Sequence, residues 1–134
     1  MIRPILRWVL ALFYLLAGVI HLADPAPFLT IMPPWVPQPE AVVALTGIAE
    51  LAGAAGLLQP WSAPLRRAAG WGLALYALCV WPANLQHMLN DQGAHLAYHL
   101  PRLAFQPVLI WLALWVSGVT EWPRLNRRPG GSAG

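Results

Sequence analysis

Four apolar stretches, 5–22, 41–58, 68–85 and 103–119, occupy more than half of this 134-residue chain. A helix needs about 20 residues, within a range of about 17 to 25, to cross a hydrocarbon core, and each stretch meets that length. A soluble protein could bury one or two such helices. Four in succession leave too little polar surface to face water, because charged residues make up only 10% of the chain. Ordinary globular domains carry about 25%, and a mean hydropathy of +0.55 points the same way. The expected fold is all-α: a polytopic membrane protein formed as a four-transmembrane-helix antiparallel bundle, one domain over 1–124 followed by a flexible cytoplasmic tail at 125–134.

Arg3 and Arg7 ahead of the first stretch resemble the opening of a signal peptide. Ala23-Asp24-Pro25-Ala26 offers no clean small-residue cleavage pattern, however, so the first stretch is read as a permanent helix.

The net charge of +3 and the pI near 9.8 would suit a nucleic-acid partner. The placement of the charges argues against one: lysine is absent and no basic run exceeds two residues. Arg3, Arg7, Arg66, Arg67, Arg124, Arg127 and Arg128 fall at one end of the threaded spans, and Arg102 alone falls at the other. By the positive-inside rule both termini and the loop at 59–67 are cytoplasmic, the arrangement of a bacterial inner-membrane protein. The expected partners are the lipid bilayer and a protein partner or second copy, with no nucleic acid. The lone Cys79 excludes an internal disulfide and any dithiol pair.

The loop at 23–40 carries six prolines interleaved with Phe28, Leu29, Ile31, Met32, Trp35 and Val36. Proline restricts itself and the preceding residue to extended backbone, so the loop is stiff. Two readings stand side by side: a lid over the bundle, or an interfacial anchor with Trp35 at headgroup level.

Polar residues inside the spans need a reason, since a charge at mid-helix costs roughly 2.5 to 3.5 kcal/mol on insertion scales. Glu50 lies near the middle of the second stretch, with Thr46, Gly47, Gly53 and Ala54 one helical turn away. Those small neighbours suit a helix contact or cavity rather than lipid. His21 ends the first stretch with Gly18, Ala17 and Tyr14 behind it, Asn84 and His87 end the third, and Arg102 and Gln106 share a face of the fourth. Antiparallel threading gathers these groups in the outward half of the bundle, with Arg102 as the natural counter-ion for Glu50. They form either an outward-facing pocket or interhelical glue. His87, His95, His99 and Asp91 have spacings open to a metal, but they read as solvated loop residues because Pro101 is expected to end any helix there; no metal is expected. Trp71, Trp81, Trp111 and Trp115 could wall a flat ring.

Several segments taken in order carry a family resemblance. Gly18-Val19-Ile20-His21, Ile31-Met32-Pro33-Pro34-Trp35-Val36-Pro37, Thr46-Gly47-Ile48-Ala49-Glu50-Leu51, Trp81-Pro82-Ala83-Asn84 and Arg102-Leu103-Ala104-Phe105-Gln106 together resemble the DoxX-like family of small four-helix membrane proteins, over residues 9 to 117. The resemblance implies a redox context, because the family takes its name from a subunit of an enzyme passing electrons from a sulfur compound to membrane quinone. Other relatives are tied to oxidative-stress complexes or to membrane-protein assembly. On this reading the chain is a redox-associated subunit, itself at most part of a quinone-linked oxidoreductase, and quinone is the expected cofactor. Glu50 and Arg102 would be the catalytic pair, as proton acceptor and electrostatic partner, and His21, Asn84, Gln106, His87 and Trp35 would bind ligand. The alternative is a non-catalytic assembly factor whose polar cluster is structural. Transport is disfavoured by the almost purely apolar inner halves of the spans.

Overall fold

A computed structural model of the protein describes residues 2–92 and 94–121. The described chain forms helices α1 (Ile2–Ala23), α2 (Ala26–Thr30), α3 (Pro39–Leu58), α4 (Ala63–Asn90) and α5 (Leu96–Ser117). All but α2 are long and apolar enough to cross a membrane, so the all-α four-span architecture holds. Residues 125–134, read as a flexible tail, lie outside the described residues.

Two spans are longer than their hydropathy implies, for identifiable reasons. α4 starts at Ala63, ahead of 68, because Ser62 caps it: the Ser62 hydroxyl accepts from the Leu65 N–H at 3.3 Å, and Pro64 fits the first turn. Gln59 secures the approach, its amide donating to the Ser62 carbonyl at 2.6 Å and its Oε1 accepting the Ser62 N–H at 2.8 Å. α5 starts at Leu96 and runs through Pro101 and Pro107, so Pro101 does not end the helix as expected. It falls in the second turn, where the loss is confined to one backbone hydrogen bond. α5 closes on Gly118, whose φ of 92° is the left-handed conformation that glycine adopts without strain.

The spans pack in a ring, α1 on α3, α3 on α4, α4 on α5, with α5 closing on α1. Small residues set the spacing. A Cβ on Gly18 would lie 2.8 Å from the Gly47 carbonyl oxygen, one on Gly53 would collide with Leu73, and one on Gly56 would lie 2.6 Å from the Ala69 Cβ. At the Arg3 end, Arg3 Nε donates to the Trp115 carbonyl at 2.8 Å and ties α1 to α5. Trp111 and Trp115 stack on one another at 5.5 Å and Trp71 is exposed, so these tryptophans do not line a common flat slot.

The outer surface is as apolar as the interior, unlike that of a water-soluble protein. The interior holds Leu10, Tyr14, Glu50, Leu73 and Ala113, whereas Trp8, Leu12, Leu16, Ile48, Leu75 and Leu78 point outward. Outward-facing aliphatic side chains on every span fit a surface solvated by lipid tails, and Cys79 lies exposed among them.

Candidate functional site

Glu50 is 3% exposed at the level where α1, α3 and α4 meet. Gly18 and Gly47 bring α1 close against α3, which sets His21 directly beside the carboxylate. On the other side, Tyr76 of α4 donates its hydroxyl to Glu50 Oε1 at 2.7 Å. His21 Nδ1 lies 2.8 Å from Glu50 Oε2 and 2.9 Å from the Ala17 carbonyl oxygen. A nitrogen between two acceptors must carry the ring hydrogen, so Nδ1 is the protonated position. That nitrogen is shared between the Ala17 carbonyl and Glu50 Oε2, so His21 ties the carboxylate to α1.

Tyr14 completes the cluster. Its ring meets Tyr76 edge to face at 6.1 Å, and its hydroxyl oxygen is buried with no hydrogen-bond partner. The Tyr14 hydroxyl, beside the paired Glu50 carboxylate, therefore has unused hydrogen-bonding capacity. In a low-dielectric interior such groups are costly to leave empty, by about 1 to 3 kcal/mol each.

The proline-rich loop covers this cluster through one residue. Phe28 of α2 stacks on the His21 ring, with centroids 3.6 Å apart and planes 21° from parallel. Trp35 is 70% exposed and makes no ring contact among the described residues, so it takes no part in the cluster and its place suits an interfacial anchor. Phe28 and Trp35 of one segment thus face different surroundings, the first against His21 and the second outward.

Arg102 belongs to a second, separate cluster. Its Nη2 donates to Asn84 Oδ1 at 2.7 Å, its Nη1 lies 3.1 Å from His87 Nδ1, and its guanidinium covers the Tyr98 ring at 4.8 Å. Among the described residues it makes no ion pair with Glu50. Asn84 stands eight residues beyond Tyr76 on α4, about 12 Å along the helix axis. Arg102 is thus not the counter-ion expected for Glu50, and the carboxylate is held by a tyrosine and a histidine instead. Gln106 is buried one turn further along α5. Arg102→Gln should loosen α4 against α5 yet leave the Glu50 cluster undisturbed. In a thermal unfolding series, its cost and that of Tyr76→Phe should add within about 0.5 kcal/mol, as for groups with no shared partner.

The α4–α5 junction holds a third group. His99 is 1% exposed and its Nε2 lies 2.7 Å from Asp91 Oδ2, while His95 Nδ1 is 3.5 Å from the same oxygen. His99 is a buried helical residue and not the solvated loop histidine expected. Its hydrogen bond holds the Asp91 carboxyl below the usual carboxylate range.

Of the residues singled out in the sequence, His21 and Glu50 come together, and Asn84, His87 and Arg102 come together elsewhere. Tyr76 is the site residue that sequence reasoning misses. Its one signal is a tyrosine in the middle of an apolar span, where the hydroxyl needs a partner.

Comparison with curated proteins and with solved structures gives no match. A family model, described as Domain of unknown function (DUF8561), matches residues 10–117, a range that includes Tyr14, His21, Glu50, Tyr76, Asn84, Arg102 and Gln106. The chain is a member of this family, Domain of unknown function (DUF8561).

Proposed function

We propose that this protein binds a quinone-like or other small amphipathic molecule at the Glu50 cluster and serves as a redox-associated subunit in its membrane, as the DoxX-like resemblance implies. The observation that carries the reading is the juxtaposition of two buried groups, the Glu50 carboxylate held between His21 and Tyr76 and the Tyr14 hydroxyl with no hydrogen-bond partner among the described residues. They offer complementary chemistry: the Tyr14 hydroxyl donates to a ligand carbonyl, and the Glu50 carboxylate accepts from a ligand hydroxyl. When bound, a quinone supplies the electron chemistry. The chain's part is to hold the ring and take a proton at Glu50 Oε2, with His21 beside that oxygen to steady the charge. Phe28 shields the entry side. Asn84 and His87 are engaged by Arg102 and drop out of the ligand-contact set, as does Trp35.

The membrane is proposed to be a bacterial inner membrane with both termini cytoplasmic, on the strength of the arginines gathered at the Arg3 end. The site then opens toward the outer face.

A quinone titration of the purified chain in lipid nanodiscs, followed by tryptophan fluorescence, tests the reading. Wild type should bind saturably, and Glu50→Gln should weaken binding by about tenfold or more, the loss of one charge-assisted hydrogen bond. Arg102→Gln should stay near wild type. Absence of saturable binding, or equal binding by Glu50→Gln, would leave the second reading. In that reading the clusters serve only to fix helix contacts in an assembly factor, as the Arg102–Asn84–His87 bonds between α4 and α5 already do.

A further inference from the structure

We propose that His87, Asp91 and His99 form a binding site for a divalent transition-metal ion of the zinc type at the α4–α5 junction. The three come from separate places: His87 from the last turn of α4, Asp91 from the residue that caps it, and His99 from the first turns of α5. Each offers one donor atom, and the three donors lie within 4.8 Å of one another. Around a tetrahedral zinc with bonds of about 2.0 to 2.1 Å, donors stand about 3.4 Å apart. The three donors therefore stand close to ligating separation.

The construction of the site favours a ligand over a chance cluster. His99 is 1% exposed, its Nδ1 is buried without a partner, and Asp91 supplies the only hydrogen bond its ring makes among the described residues. A buried imidazole so thinly satisfied needs a reason for being there. Gln92 at φ 50° and His95 at φ 55° turn the chain between Asp91 and His99 in the left-handed conformation that few non-glycine residues adopt. Two neutral imidazoles and one carboxylate make the three-ligand set of an open zinc site, with the fourth position left for water or for His95, whose Nδ1 is already 3.5 Å from Asp91 Oδ2.

Proton accounting sets the cost. A neutral histidine that ligates through one nitrogen keeps its hydrogen on the other. Ligation by His99 Nε2 moves its hydrogen to Nδ1, which is buried with no protein partner among the described residues, a cost the metal bond must exceed. Ligation by His87 Nε2 requires a hydrogen on Nδ1, so the contact with Arg102 at 3.1 Å is given up while Arg102 keeps Asn84 and the Tyr98 face. The place suits an ion arriving from water. α4 has 28 residues, about 42 Å of helix against about 30 Å of hydrocarbon, and its final turns extend to headgroup level.

The test uses the full chain, purified without a polyhistidine tag, titrated with Zn2+ and separately with Co2+. Wild type should take up one Zn2+ per chain with micromolar or tighter Kd, and bound Co2+ should show the intense visible absorption of a four-coordinate ion. Asp91→Asn and His87→Gln, both close in shape to the originals, should each weaken Zn2+ binding by about tenfold or more. Lack of one-to-one binding, a weak six-coordinate Co2+ spectrum, or wild-type affinity in both variants would overturn the proposal. The Co2+ spectrum of wild type decides the matter if either variant fails to fold.

Discussion

Gly47→Val should lower stability by about 3 kcal/mol in a detergent unfolding titration, because it forces α1 away from α3. Overpacking of a tight interface commonly costs about 1 to 3 kcal/mol, and this site belongs at the upper end. Even the first carbon of a side chain at 47 would stand 2.9 Å from His21 Cβ, 3.0 Å from Leu22 Cγ and 3.1 Å from the Gly18 carbonyl oxygen. The Gly18 backbone and the His21 Cβ cannot rotate out of the way, whatever the exposed Leu22 side chain does. α1 must then move away from α3, and His21 leaves Glu50. Gly72→Ala is the matching control, since a Cβ at that position would project into open space with no neighbour within 4 Å, and replacing a helical glycine by alanine should raise stability by up to about 1 kcal/mol. A Gly47→Val protein as stable as wild type would mean that the α1–α3 approach contributes nothing.

Tyr76→Phe should cost about 2 kcal/mol, a large penalty for the removal of one oxygen. The hydroxyl is the donor to Glu50 Oε1, and its loss leaves that oxygen of a carboxylate that is 3% exposed without a donor, with His21 alone beside the other. A buried acceptor that loses its partner bears its own desolvation cost, about 1 to 3 kcal/mol and more when charged. The same substitution in a Glu50→Leu background should be nearly neutral, because no buried charge remains to be stranded. A double-mutant cycle on thermal unfolding reads the difference as a coupling energy. Equal costs in both backgrounds would show that Tyr76 acts by packing alone.

The architecture is legible in the sequence because span length and charge scarcity are local properties that survive folding. The pairing of the polar groups is not. His21 and Glu50 can be placed at compatible depths from helical rise, but the assignment of Arg102 to Glu50 rests on charge alone. Charge says what would be favourable and depth decides what is reachable, and about 12 Å of α4 separates Tyr76 at the carboxylate from Asn84 at the guanidinium. Tyr76 escapes notice because a neutral tyrosine does not stand out in an apolar stretch. His99 departs from its expected place because Pro101 is not a helix stop: α5 begins early enough to hold the proline within its opening turns.

The contact of His21 with Glu50 also bears on how the chain enters the bilayer. α1 and α3 are the first two spans in chain order, and Gly18 and Gly47 let them pair closely. The histidine is therefore already synthesised when the glutamate emerges, and the first hairpin carries its costly carboxylate into lipid with a companion. Tyr76 arrives afterwards with the second hairpin and takes the remaining oxygen, Oε1. Glu50 thereby joins two hairpins that are made at different times.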